Sequence, residues 1–192
     1  MDQPETPILL PGATQRRSPN RDERPADGRI DLLVIHNISL PPGEFGGPWI
    51  DQLFLNRLKA SAHPYFREIM GLRVSSHLLL RRDGAMIQYV PLELRAWHAG
   101  VSSYQGRSRC NDYSIGIELE GTDDRLYTDA QYDALAKASR WIMECFPAIT
   151  PQRIVGHADI APGRKTDPGP AFDWARYLGE LNLDSSVDRF EQ

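Results

Sequence analysis

The stretch Gly156-His157-Ala158-Asp159-Ile160-Ala161-Pro162-Gly163-Arg164-Lys165-Thr166-Asp167-Pro168-Gly169 brings a histidine, a lysine and an aspartate together. Pro162, Gly163, Pro168 and Gly169 work against regular structure there, so the segment reads as a loop. A loop that commits so many positions to ligands and charges is usually building a site. A partner lies far upstream, where the apolar run Ile30-Asp31-Leu32-Leu33-Val34-Ile35 meets His36-Asn37. His36, His157 and Asp167 together make a set of two imidazoles and one carboxylate. Such a set leaves a zinc ion one open position, the mark of catalytic rather than structural zinc. Singly, each residue has a plainer reading: His36 as a hydrogen-bonded core histidine, Asp167 as a turn residue before Pro168.

Two further residues suit hydrolysis at such a centre. Lys165 stands two positions before Asp167. It is either a solvated loop lysine or a cation placed for the oxyanion formed when a carbonyl is attacked. Glu118 lies on the polar side of an alternating strand. It is either exposed to solvent or the general base that takes a proton from water. His63, His77 and His98 compete with His36 as ligands but lack its buried strand setting. His77 reads as a core or supporting histidine and His98 as part of a rim with Trp97. Arg73, Arg107 and Arg109 could capture ligand carboxylates in an otherwise acidic protein; surface ion pairs explain them equally well.

The elements that must position these residues are legible by pattern. Residues 30–38 are nearly all apolar and suit a strand buried on both faces. Leu40-Pro41-Pro42-Gly43-Glu44-Phe45-Gly46-Gly47-Pro48 is a loop, and Trp49, Leu53, Phe54 and Leu58 follow at helical spacing. Runs 74–81 and 85–90 flank Arg82-Asp83-Gly84 and predict a hairpin. Along Tyr113–Gly121, Ile115, Ile117 and Leu119 point one way, and Gly116, Glu118 and Glu120 the other. Thr128-Asp129-Ala130-Gln131 reads as a capping box opening a helix to about Cys145, before Pro147. Its expected apolar stripe is Leu135, Ala138, Trp141, Ile142 and Cys145. A last short helix is expected near Asp173–Leu181. The fold class is α/β, one domain with a central mixed sheet flanked by helices. Residues 1–29 read as an irregular arm, 30–183 as the functional domain and 184–192 as a C-terminal tail.

Composition excludes several roles. The chain has 192 residues, 41% hydrophobic and 25% charged, with a net charge of −4. That suits one soluble domain with a full core. No long basic run favours a nucleic-acid partner, and no stretch approaches the ~20 apolar residues of a membrane span. Cys110 and Cys145 lie far apart, outside metal or redox spacings, and read as two reduced thiols. The first residues lack an export-type signal, so a cytoplasmic location is expected.

Several stretches together resemble the AmpD-type N-acetylmuramoyl-L-alanine amidases of the amidase-2, or peptidoglycan-recognition-like, superfamily. They are Val34–Gly47, Arg95-Ala96-Trp97-His98-Ala99-Gly100, Arg109-Cys110-Asn111-Asp112, Gly116–Asp123 and Gly156–Gly169. The likeness covers residues 20–180 or so. It implies a cytoplasmic zinc hydrolase of cell-wall recycling, with one zinc ion per chain. Such an enzyme cuts the amide between 1,6-anhydro-N-acetylmuramic acid and the L-Ala of the stem peptide. By motif position the resemblance assigns zinc to His36, His157 and Asp167, the base to Glu118 and the oxyanion contact to Lys165. It sets Asn37, Tyr65, Arg73, Trp97 and Arg109 near substrate, with Arg109 facing the stem-peptide carboxylates. It also implies an indirect effect on β-lactamase induction, through uncut anhydro-muropeptides. A soluble muropeptide, with neither membrane nor nucleic acid, is the expected partner of a monomer.

Three other readings fit less well. A non-enzymatic recognition module of the same fold often replaces a metal ligand, whereas Asp167, Glu118 and Lys165 are all present here. An exported autolysin needs an export route. A common zinc peptidase needs a His-Glu-x-x-His helix, which is absent.

Overall fold

Leu32, Leu33, Val34 and Ile35 are wholly buried, as a consecutive apolar run must be in a strand covered on both faces. The computed structural model describes residues 6–26 and 28–183; the 184–192 tail lies outside the described residues. In chain order the strands are β1 Thr14–Gln15, β2 Arg21–Asp22, β3 Leu32–Ile38, β4 Leu78–Leu80, β5 Met86–Gln88, β6 Arg95–Ala96, β7 Ser103–Tyr104, β8 Arg107–Ser108, β9 Ser114–Glu120 and β10 Ile154–Gly156. The helices are α1 Trp49–Phe54, α2 Phe66–Ile69, α3 Asp129–Cys145, α4 His157–Ile160 and α5 Trp174–Leu183.

Six strands form the central sheet, in the order β1-β5-β4-β9-β3-β10. Its pairs are parallel except β4 with β5, so the sheet is mixed, as expected. The β4–β5 hairpin closes where expected, with Gly84 at φ +82°, a left-handed conformation that glycine adopts without steric cost. Alternation then sorts residues by face. Leu33 and Ile35 of β3, Leu78 and Leu80 of β4, and Ile115, Ile117 and Leu119 of β9 share one apolar cluster with α3 and α5. Each such side chain, removed from water, contributes roughly 1.5–3 kcal/mol. The opposite face carries Leu32, Val34 and His36 of β3, Leu79 of β4, and Gly116, Glu118 and Glu120 of β9. There α1 and α2 cover Leu79 and Ile87, and Ile160 of α4 covers Leu32 and Val34.

The capping box forms as read: Thr128 Oγ1 accepts from the Gln131 N–H at 3.1 Å and Gln131 Oε1 from the Thr128 N–H at 3.2 Å. In the stripe of α3, Leu135, Ala138 and Ile142 are buried, Trp141 is partly buried, and Cys145 is exposed rather than packed. The first helix stops at Phe54, and Leu58 is buried from the loop beyond it.

The N-terminal segment is mostly irregular, yet it contributes β1 to the main sheet and pairs β2 with β6. Two-residue strands have no periodicity to read. Arg24 anchors the segment by donating to the carbonyls of Glu93, Asn111, Leu92 and Ser114. One guanidinium thus satisfies four backbone acceptors, using the fixed fork of donors that distinguishes arginine.

Candidate metal and catalytic centre

Two strands, one short helix and one loop converge on the polar part of the second sheet face. The register pairs His36 with Glu118 across β3 and β9, so both side chains leave the same face side by side. β10 runs parallel to β3 and ends at Gly156, so His157 opens α4 at the same end of the sheet. This corrects the expectation of an irregular loop from Gly156 onward. Asp159 stabilises the start of α4 by accepting from the Gly156 N–H at 2.7 Å. The remaining loop then returns, and the Ala158 N–H donates to the Asp167 carbonyl at 3.0 Å. The return needs glycine at two places. A Cβ on Gly156 would sit 2.8 Å from Pro168, and one on Gly169, at φ +79°, would sit 2.2 Å from the Asp123 Cα.

His36, His157 and Asp167 are all buried, and their ligand atoms lie within 4.8 Å of one another. His36 Nδ1 is 2.9 Å from His157 Nδ1 and 3.2 Å from Asp167 Oδ2, and His157 Nδ1 is 3.0 Å from Asp167 Oδ2. His157 Nε2 donates to the Ala99 carbonyl at 3.2 Å, which leaves its Nδ1 lone pair facing the cluster. Burial, the largest influence, pulls the His36 pKa down to about 4, so its imidazole is neutral. Burial alone would raise Asp167, but its contacts with His157 and His36 outweigh that and hold it well below the usual carboxylate range. Two imidazole nitrogens and an ionised carboxylate thus converge on one point. Such a donor set fits a divalent cation such as zinc.

Glu118 is 9% exposed, and its Oε2 is buried with no hydrogen-bond partner. Burial first, then the negative charge of Asp167, raises its pKa well above the ordinary value, while Lys165 acts the other way. The expected polar strand side is therefore not solvent-facing: all of β9 is buried. Glu120, two residues on, is neutralised by Arg81 at 2.8 Å. Glu118 has no such ion pair, so the two carboxylates of one strand face have different chemistry. Lys165 is solvent-exposed, and its charge reaches both Glu118 and His36.

The other expected contacts divide. Asn37 Nδ2 donates to Asp123 Oδ1 at 2.8 Å and the Pro168 carbonyl at 3.1 Å, tying β3 to the returning loop. Trp97 Nε1 donates to Asp22 Oδ1. Tyr65 packs on the apolar cluster under α1 and α2. Arg73 is exposed, donating to the Leu72 carbonyl. Arg107 pairs with Asp31 at 2.8 Å, the surface ion-pair alternative. Arg109 is 69% exposed, pairs with Asp112 at 2.9 Å and has a left-handed backbone, φ 61°. Neither cysteine is in a disulfide.

His98 departs from its reading as a rim residue. Its ring centroid is 5.0 Å from that of His36 and 5.6 Å from that of His77. Its Nδ1 is 2.9 Å from His36 Nε2 and its Nε2 is 3.2 Å from Ser114 Oγ. Burial drives its pKa well below 6.5. A Cβ on Gly116 would lie 2.5 Å from this ring. The glycine in the middle of β9, with Glu118 two positions on, was the available sequence signal, because such a glycine marks close approach of another group.

Residues 26–170 match the Amidase_2 family, N-acetylmuramoyl-L-alanine amidase. The chain is 64% identical over 168 residues to the 1,6-anhydro-N-acetylmuramyl-L-alanine amidase AmpD of Escherichia coli K12, covering 88% of this chain and 91% of that protein. Its identity to the protein of the same name from Haemophilus influenzae is 53% over 173 residues, covering 90% and 94%. Among solved structures, a selenomethionine AmpD derivative superposes with a TM-score of 0.88 at 60% identity, covering 90% of this chain and 96% of that one. The E. coli amidase AmiD, solved with its substrate anhydro-N-acetylmuramic acid-L-Ala-D-gamma-Glu-L-Lys, superposes with a TM-score of 0.59 at 32% identity, covering 82% and 60%.

Proposed function

The chain belongs to the N-acetylmuramoyl-L-alanine amidase family, and from that premise we propose a zinc-dependent muropeptide amidase. Its substrate is a soluble (1,6-anhydro-)N-acetylmuramoyl peptide, and it hydrolyses the amide joining the lactyl group to L-alanine. The observation that carries the reading is Glu118: a buried carboxylate with an unpartnered oxygen, in register with His36 of the donor cluster.

His36, His157 and Asp167 would hold the zinc. When bound, the ion supplies Lewis acidity and brings the pKa of water toward ~7. Glu118 Oε2 is free of partners, so it can accept a proton from the attacking water as the new C–O bond forms. Its raised pKa suits this task, because the protonated carboxyl can then hand the same proton to the leaving alanine nitrogen as the C–N bond breaks. Lys165 stabilises the negative charge on the former carbonyl oxygen between these events. On this reading Arg109 and Arg73 would meet stem-peptide carboxylates, and Asn37, Trp97 and Tyr65 would lie around the muramoyl end.

We read residues 30–183 as the amidase domain and 1–29 as an N-terminal arm, supported by the docking of Thr14–Gln15 and Arg21–Asp22 onto the domain. No helix among the described residues is long and apolar enough to cross a membrane. Two free cysteines suit a reducing compartment, and we place the enzyme in cytoplasmic cell-wall recycling, acting as a monomer. Through its substrate it would bear indirectly on β-lactamase induction. The test is release of free peptide from anhydro-N-acetylmuramoyl-tripeptide. Release that stops with a chelator and returns with zinc supports the reading, whereas tight binding without cleavage would make the chain a recognition protein.

A further inference from the structure

A chain of four polar groups leads away from the donor cluster into the sheet. Its far end fixes the direction of every hydrogen in it. Ser114 Oγ is 2.6 Å from the Cys110 carbonyl, and a carbonyl only accepts, so the single hydroxyl proton of Ser114 points there. Towards His98 Nε2, 3.2 Å away, Ser114 Oγ can therefore only accept. His98 thus carries its proton on Nε2 and turns a bare Nδ1 towards His36 Nε2 at 2.9 Å. That contact needs one proton, which His36 Nε2 must supply. His36 is left with its Nδ1 lone pair directed at His157 and Asp167.

We infer that His98 is a positioning residue: together with Ser114 it sets the tautomer and ring orientation of His36 as a metal ligand. The sequence shows the provision made for it. Gly116 leaves room for the ring, since any Cβ there would meet His98 Cγ and Nδ1 at 2.5 Å. Asn111 Oδ1 accepts from the backbone N–H groups of both His98 and Ala99, at 3.1 and 2.8 Å. The same segment thereby also holds the Ala99 carbonyl, which receives the His157 Nε2 proton at 3.2 Å. One short segment, His98-Ala99, thus orients both imidazoles of the donor set. An acceptor behind a ligating histidine is the usual means of fixing ring and tautomer, and losing one typically costs 10–100-fold in metal affinity or activity.

The inference rests on the metal-site reading above, and its test is separable from the amidase activity. Zinc affinity is measured by chelator competition without substrate, alongside thermal unfolding and the cobalt(II) absorption spectrum. His98→Leu removes the acceptor, and a ~10–100-fold loss in zinc affinity with an altered cobalt spectrum is expected. His98→Asn keeps an acceptor near the Nδ1 position and is expected to recover most of that loss. Equal losses in the two variants, or no loss in His98→Leu, would overturn the proposal. Should His98→Leu fail to fold, histidine ¹⁵N spectra of the zinc-loaded wild-type protein decide. A neutral His98 protonated on Nε2 is required, and a proton on Nδ1 refutes the assignment. If these results hold while the wild-type protein cleaves no muropeptide, the amidase reading alone has failed.

Discussion

Replacing Glu118 with glutamine should damage catalysis and strengthen the metal-free fold. Glu118 is 9% exposed, Oε2 is buried without a hydrogen bond, and burial and Asp167 both disfavour its charge. An unsatisfied buried polar group costs about 1–3 kcal/mol, and more when charged. Glutamine keeps the shape and removes the charge, so at neutral pH it should recover on the order of 1 kcal/mol. In a chain of this length that corresponds to a rise of about 2–4 °C in Tm. The sign with pH follows from the raised folded-state pKa. Below the unfolded pKa of about 4.3 both states are protonated and the variant has no advantage. As pH rises through the folded-state pKa the wild-type protein alone acquires a poorly solvated charge, and the gap opens to its full size. Turnover should meanwhile fall by ~10²–10⁴-fold, the usual contribution of a general base, with zinc content unchanged. The assays are calorimetry of the chelated proteins between pH 4 and 8, and peptide release by the zinc forms. A variant that loses activity and is also less stable at neutral pH would refute the reasoning, because Glu118 would then be a structural residue.

Other substitutions separate the remaining roles. Asp167→Ala should leave a folded protein that loses zinc on dialysis, read by metal analysis; full zinc retention would remove Asp167 from the donor set. Lys165→Ala should lower kcat by ~10²–10³-fold with little change in KM, as for a contact strongest in the transition state; a change confined to KM would make it a substrate anchor. Gly169→Ala combines a left-handed φ with a Cβ 2.2 Å from the Asp123 Cα. It should cost about 2–5 kcal/mol from strain and overpacking together. Gly43→Ala has a similar φ of +82° but open space, and should lose only about 1–2 kcal/mol in urea unfolding. Equal losses at the two glycines would show that the loop yields around Asp123.

The chemistry was more legible than the scaffold. His36, His157 and Asp167 stand out because ligand types are few, and neighbouring glycines and prolines advertise a loop. The β3 and β9 patterns and the capping box of α3 were equally plain, being long enough to show a period. What escaped was short or depended on distant neighbours. β10 has only three residues, Ile154–Gly156, too few for a pattern, so His157 read as a loop residue rather than the first of α4. Glu118 and Glu120 look alike in sequence. Their partners distinguish them: Arg81 and the Gly46 and Arg82 N–H groups reach Glu120, while Glu118 Oε2 has none. His98 looked like a rim residue because the space that admits it is created by the missing side chain of Gly116 on β9.

The docking of the N-terminal segment has a consequence for how the protein can be handled. β1 lies along the outer side of β5, and beyond it the Arg16 and Ser18 N–H groups continue onto the Gln88 and Tyr89 carbonyls at 2.8 and 2.9 Å. Without this segment the sheet would end in a row of unpaired donors and acceptors over Met86–Tyr89, a template on which another chain could add a strand. A version trimmed to start at residue 30 would retain every residue assigned to the chemistry and yet become adhesive. The described part of the arm therefore covers a strand edge that would otherwise be open to pairing with another chain.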